Sequence, residues 1–282
     1  MIWVVMGLLL TGLATGLLAA WIPTRGHWQI VHPRRALLLW AVAGILGLLL
    51  TATSVLYAAV HSLHVHPAGA VAESMTLTLV AWMGLGGLGV AGSLALLGRG
   101  DLGDEDGERP GIAELLSRRR TTSWQSGRIT IVQIDDPRLI AVASASSSPT
   151  IFVSSTARNT LAPSHLAAIL AHEAAHLHQR HALARHLGAW HCACLPKRSR
   201  LRRDLTNRIL LLTELAADDS AASRVGPAHL LDALSSLHAL APSRELAVRA
   251  ARVRSVHGLL GNAPTLHRPP HRTDTQRHAE SQ

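Results

Sequence analysis

Tyrosine, phenylalanine and lysine each occur once in this 282-residue chain, and cysteine twice. The cysteines stand in His191-Cys192-Ala193-Cys194, which is no zinc-ribbon spacing and too few thiols for a disulfide framework; they read as small apolar residues, reduced in a cytoplasmic setting. Tyr57 lies within an apolar run, so a soluble domain has no tyrosine to offer for catalysis. Acids are also scarce. Eighteen Asp and Glu against 27 Lys and Arg leave a formal net charge of +9. No recognition motif or interleaved aromatics accompany that charge, so nucleic acid is not an expected partner.

Apolar length is abundant in the first hundred residues. Segments 2–22, 36–60 and 75–97 are each long enough to cross a hydrocarbon core of roughly 30 Å. Trp3, Trp21, Trp40 and Tyr57 lie toward the ends of these runs, as interfacial aromatics do, and Gly84, Gly86, Gly87 and Gly89 would allow close helix contact or simply be tolerated facing lipid. The first run lacks a basic leader and a convincing cleavage site, so it reads as a span. Loop 22–35 holds Arg25, Arg34 and Arg35, whereas loop 61–74 holds no Lys or Arg. That bias places the N-terminus outside and everything after residue 98 in the cytoplasm, as a multi-pass protein of the cell membrane. His61, His64 and His66 on the outer loop read as solvated.

The expected divisions are a three-helix transmembrane region over 1–98, an acidic glycine-rich linker over 99–110, one soluble domain over 111–262, and a disordered basic tail over 263–282. Within the soluble part, Ile112 to Arg120 reads as a short basic helix. Residues 129–134, 139–142 and 150–154 read as strands. The last of these, with Ile151-Phe152-Val153, is either an edge that could pair with an extended peptide or a packed strand of a small sheet. The apolar run 187–195, followed by Lys197, Arg198, Arg200, Arg202 and Arg203, reads as an interfacial hairpin on anionic headgroups or as a plain connector.

The chemistry is concentrated in two short motifs. His172-Glu173-Ala174-Ala175-His176 sits on a helix that starts at Pro163 and keeps Leu166, Ile169, Leu170, Ala174 and Leu177 on a buried face. Residue frequencies give roughly 0.03 accidental matches to HExxH in a chain of this composition. Positions four apart share a helix face, so both imidazoles can reach one cation while Glu173 stands beside it. Zinc with three protein ligands keeps a fourth position for water and lowers its pKa. His178 and His181 are expected to point elsewhere, and His186 is too far along the axis. Gln179 and Ala182 occupy the places at which a metzincin would carry its glycine and third histidine. Glu214, on a second apolar helix ending at Gly226-Pro227, is the best remaining third ligand. Asp218, one turn on, is placed to accept a hydrogen bond from a zinc-bound imidazole. Asp219 reads as solvated or capping.

With these residues the stretch 110–260 resembles membrane zinc peptidases of the BlaR/MecR type, and more distantly HtpX-like and CAAX prenyl proteases. The resemblance rests on Ala168 to Leu177 with Arg180-His181, and on Leu212 to Asp219. It implies one zinc per chain on His172, His176 and Glu214, with Glu173 activating water and Asp218 orienting a ligand. Together with the apolar runs above, the expected fold class is an α-helical transmembrane region of three spans followed by a small α+β zincin-like peptidase domain, mainly helical with a short antiparallel sheet. The chain departs from the sensor members: Cys194 stands three residues before Lys197, so there is no Ser-x-x-Lys nucleophile, and a penicillin-sensor domain is not expected. The expected function is a membrane-anchored zinc endopeptidase with a protein substrate and the lipid bilayer as partners and no small-molecule cofactor. His229, Arg224, Arg254 and His257 are candidate donors to the oxyanion. The alternative is a non-proteolytic membrane regulator with a structural zinc site.

Overall fold

A computed structural model of the chain describes residues 2–64, 119–145 and 148–258, together with residues 75, 78, 79, 83, 84 and 115. Helix α1 (Ile2–Ala19) and the long α3 (Pro33–His64) form an antiparallel pair joined by a loop that contains the one-turn α2 (Trp28–Val31). Pro33 suits the start of α3 because its missing N–H would have no partner there. Glycines set the spacing of the pair: a Cβ at Gly12 would come within 2.5 Å of Thr51 Oγ1, and one at Gly47 within 2.7 Å of the Gly16 nitrogen. The Ser54 hydroxyl, buried in this contact, donates to the Val5 carbonyl at 2.8 Å. Among the described residues one helix, Pro33–His61, is long and apolar enough to cross a membrane, and Trp3–Ala19 is a shorter apolar helix. Most of the expected third span and of the loop 61–74, the linker, nearly all of the 112–120 helix and the 263–282 tail lie outside the described residues.

From residue 119 on, the described chain opens with a four-stranded sheet, β1 (Arg120–Ser126), β2 (Ile129–Ile134), β3 (Ala141–Ser144) and β4 (Thr150–Ser154), in the order β1-β2-β4-β3. Gly127, at φ 62°, turns β1 into β2. The sheet is mixed, not antiparallel: β2 and β4 run parallel, Thr130 opposite Thr150, while the outer pairs are antiparallel. The chain passes from β2 to the far edge, forms β3, and hairpins back so that β4 fills the gap beside β2. Strand β4 is therefore interior and buried at every position, which is the packed-strand reading of the two, and the outer strands among the described residues are β1 and β3.

Six helices follow: α4 (Ser155–Thr160), α5 (Pro163–His178), α6 (His181–Ala193), α7 (Arg200–Val225), α8 (Pro227–Leu240) and α9 (Arg244–Val256). Caps mark several starts, with Ser154, Ser199 and Ser243 side chains accepting the N–H of Ala157, Arg202 and Glu245. Helix α7 is the axle of the assembly. Ala221 and Ala222 pack with Ala168 of α5, Leu230 and Leu234 of α8 and Val253 of α9. Leu205, Ile209, Leu212 and Ala216 pack with Ala19, Ala36, Leu37 and Trp40 of the α1–α3 region. The sheet meets α5 through Ile131, Ile151, Val153 and Ala174.

The 187–195 run does not lie free for a bilayer surface. Cys192 and Leu195 join the core shared with α1 and α3, and Trp40 Nε1 donates to His191 Nδ1 at 3.0 Å. Lys197, Arg198, Arg200 and Arg203 beyond it are exposed.

Candidate metal centre

Helix α5 holds His172 and His176 one turn apart, and α7 presents Glu214 to both. His172 Nε2 and His176 Nε2 are 3.1 Å apart. Glu214 Oε2 lies 3.2 Å from His172 Nε2, and Glu214 Oε1 3.6 Å from His176 Nε2. Ligand bonds of about 2.0–2.1 Å arranged as a tetrahedron put ligand atoms about 3.3 Å apart. Three converging atoms with these separations and this chemistry fit zinc, and the group could hold a metal ion.

Asp218, on the same face of α7, places Oδ1 at 2.9 Å from His172 Nδ1. A proton on Nδ1 leaves the Nε2 lone pair aimed at the other two groups. Glu173 stands on the neighbouring face of α5, and its Oε2 accepts the Ala143 N–H of β3 at 2.9 Å. Because Ala143 gives this N–H to Glu173 and not to β4, the bond marks the free edge of the sheet. A cavity of about 190 Å³ opens here, walled by Ala141, His172, Glu173, Glu214, Leu234 and Arg249 among others. A larger and almost wholly apolar cavity of about 520 Å³, between α1, α3 and α6, shares no residue with it.

The candidate oxyanion donors His229, Arg224, Arg254 and His257 are exposed and take no part in the cavity wall. Arg249 of α9, which the motifs did not single out, is there instead. Its Nε and Nη2 grip both oxygens of Asp218 at 2.9 and 2.8 Å, and Nη1 lies 3.0 Å from Glu214 Oε2. Arg185 of α6 donates to the other Glu214 oxygen at 2.9 Å. One turn along α9, Arg252 pairs with Asp219 at 2.6 Å and donates to the Ile30 carbonyl at 2.6 Å. Asp219 is therefore a structural partner of an arginine and not a solvated cap. The only trace of this in the sequence is the adjacent pair Asp218-Asp219 and two arginines three apart, which a chain with 27 basic residues offers in many combinations.

His181, expected to point away, turns back to the site. Arg180 adopts the left-handed conformation at φ 53° and breaks the helix between α5 and α6. His181 Nδ1 then comes to 2.9 Å from His176 Nδ1.

Electrostatics follow from burial and these pairings. Burial alone would raise the Glu214 carboxyl, but the His172 hydrogen bond and the Arg249 charge outweigh it and hold the carboxyl well below the usual range. Asp218 likewise is held to about 2, the Arg249 guanidinium overcoming the cost of burial. For His172, burial and Arg249 push down, while hydrogen bonds to Asp218 and Glu214 push up and prevail, to about 9. Burial keeps His176 well below its ordinary value and His181 at about 4.

No curated protein and no solved structure matches the chain significantly. Residues 120–224 match Peptidase family M48, whose members are zinc-dependent. The matched stretch runs from β1 to the end of α7 and so contains every group of the cluster except Arg249. The likeness to the BlaR/MecR type remains one of motifs. The segment that builds the His172, His176 and Glu214 group is similar to Peptidase family M48, which supports a metallopeptidase function for this chain.

Proposed function

We propose that the chain is a membrane-anchored zinc endopeptidase that cuts membrane-proximal segments of proteins, with the metal on His172 Nε2, His176 Nε2 and Glu214. The observation that carries this reading is the convergence of those atoms at 3.1 to 3.6 Å beside Glu173. Bound there, zinc supplies a Lewis acid for a peptide carbonyl and a water acidified toward neutral pH. Glu173 is the residue whose carboxylate would take a proton from an attacking water and return it to the leaving amine. Asp218 holds the His172 ring by its Nδ1, and Arg249 keeps Asp218 and Glu214 ionised. The outer edge of β3, from Ala141 to Ala143, is where an extended substrate adds as a further strand, taking over the Ala143 N–H that Glu173 holds and lying against the cavity that contains that carboxylate. A purely structural zinc site would need no base beside an open cavity, so the regulator reading is the weaker one.

Membrane anchoring is supported by the apolar outer faces of the first helices, where Leu10, Leu17, Leu18, Leu38, Leu46 and Leu56 are exposed. The site lies near the loop between α1 and α3, since Arg252 ties Asp219, next to Asp218, to the carbonyls of Ile30 and Val31. The arginine bias of that loop assigns it to the cytoplasm, and the peptidase domain with it.

The test uses detergent-purified full-length protein with casein as an unstructured substrate. Wild type should carry about one zinc per chain and cleave; Glu173→Gln should keep its zinc and lose turnover by on the order of 100-fold or more, because an amide cannot take the proton. Equal cleavage by both proteins refutes the mechanism, and zinc-loaded wild type that cuts nothing favours the regulator.

A further inference from the structure

His181 and Gln179 form a chain of hydrogen bonds that ends on a proposed zinc ligand. Gln179 Nε2 donates to the Ala216 carbonyl of α7 at 3.4 Å, which fixes which end of the amide faces His181. Gln179 Oε1 then lies 3.2 Å from His181 Nε2. An amide oxygen only accepts, so the proton of a neutral His181 ring sits on Nε2. His181 Nδ1 is left as an acceptor, 2.9 Å from His176 Nδ1. Two ring nitrogens at that distance share one proton, and here it must belong to His176. His176 Nε2 is consequently bare, and it is the atom that faces His172 Nε2 and Glu214.

We propose that His181, oriented by Gln179, is a positioning residue that fixes the tautomer and ring angle of His176 for metal binding; this rests on the zinc site proposed above. It makes the site symmetrical in logic: Asp218 holds the Nδ1 proton of His172, and His181 holds that of His176. A neutral acceptor serves the second position because Arg185 and Arg249 already match the charges of Glu214 and Asp218, so a further buried carboxylate would have no cationic side chain to pair with. The rings meet edge to face, with centroids 4.7 Å apart. His181 is 3% exposed, so water does not compete for the bond. The left-handed Arg180 is what allows it, since on an unbroken helix residue 181 would stand well round from residue 176.

The test is zinc affinity of the full-length protein in detergent, read by competition with a chromogenic chelator, and the visible spectrum of the cobalt-loaded protein. His181→Phe keeps a ring but no acceptor and should weaken zinc binding about 10 to 100-fold. His181→Asn offers an amide oxygen where Nδ1 was and should recover to within a few-fold of wild type, with the cobalt spectrum restored. Gln179→Leu, at a half-buried position, frees the His181 tautomer and should cost about 3 to 10-fold; it covers the case in which His181→Phe does not fold. If His181→Phe or Gln179→Leu bound zinc as tightly as wild type while His172→Ala lost it, the positioning role would be overturned and the metal site would stand. Equal loss in His181→Phe and His181→Asn would reduce His181 to packing. Wild type that bound no zinc would remove the underlying site as well.

Discussion

At the scale of single residues the centre is a balance of buried charge. Glu214 and Asp218 are 4% and 0% exposed, and Arg249, 8% exposed, touches both. Removing one partner from such a group leaves the others desolvated and unmatched, which costs about 3–5 kcal/mol. Arg249→Met should therefore destabilise the metal-free protein by about that amount in a denaturant titration, and less when zinc is present to supply positive charge. A loss below about 1 kcal/mol in the metal-free protein would show that Arg249 is dispensable to the charge balance. The ligand pairs were legible in the sequence because spacing on a helix is rigid: residues four apart share a face wherever the helix goes. Arg249 was not legible, because its partner lies 31 positions away and 26 other basic residues compete for the role.

At the scale of elements, one backbone angle decides where a histidine goes. Arg180 at φ 53° lies in the left-handed region, which glycine and asparagine enter readily and β-branched residues do not. Arg180→Val should lower stability by about 1–2 kcal/mol and loosen zinc, because the helix either runs on through residue 181 or is strained at the break. A melting temperature and zinc affinity equal to wild type would show that the turn does not depend on this residue. The exclusion of His181 by its azimuth assumed a continuous helix, and the turn removed that assumption. The sheet teaches the same lesson. The strands at 129–134 and 150–154 are visible from their apolar β-branched runs, but the order that makes β4 interior and β3 the edge depends on a crossover that no local pattern encodes. Strand β1, polar and mostly exposed, gave no periodic signal at all.

At the scale of the whole molecule, the first helices and the helices that carry the site share a core. Leu205, Ile209, Leu212 and Ala216 of α7 are 0% exposed because Ala19, Ala36, Leu37 and Trp40 cover them. A fragment of residues 99–282 would bare that face as a contiguous apolar patch. It should aggregate or need detergent in size-exclusion chromatography, and a soluble monomer that binds zinc would mean the two parts are energetically independent. Sidedness has its own check. A cysteine placed at Ser62 should react with a membrane-impermeant thiol reagent in intact cells, whereas one at Thr24 or Ser223 should react only after lysis. Labelling of Ser223→Cys in intact cells would put the site outside and end the cytoplasmic reading.

By itself the sequence determined what repeats with a fixed period: two apolar helical runs in the first 64 residues, the His172–His176 face, the Glu214–Asp218 face, and the buried strands. These follow from the geometry of a helix turn or a strand pleat, which tertiary context cannot alter. Tertiary structure decided everything that requires two distant segments to meet. It chose Arg249 over more exposed basic residues, gave the free edge to β3, packed the 187–195 run on α1 and α3, and brought His181 back to His176. Each of those outcomes turns on a chain reversal, a crossover or a single positive φ, and none of these leaves a periodic trace in the residues that carry it.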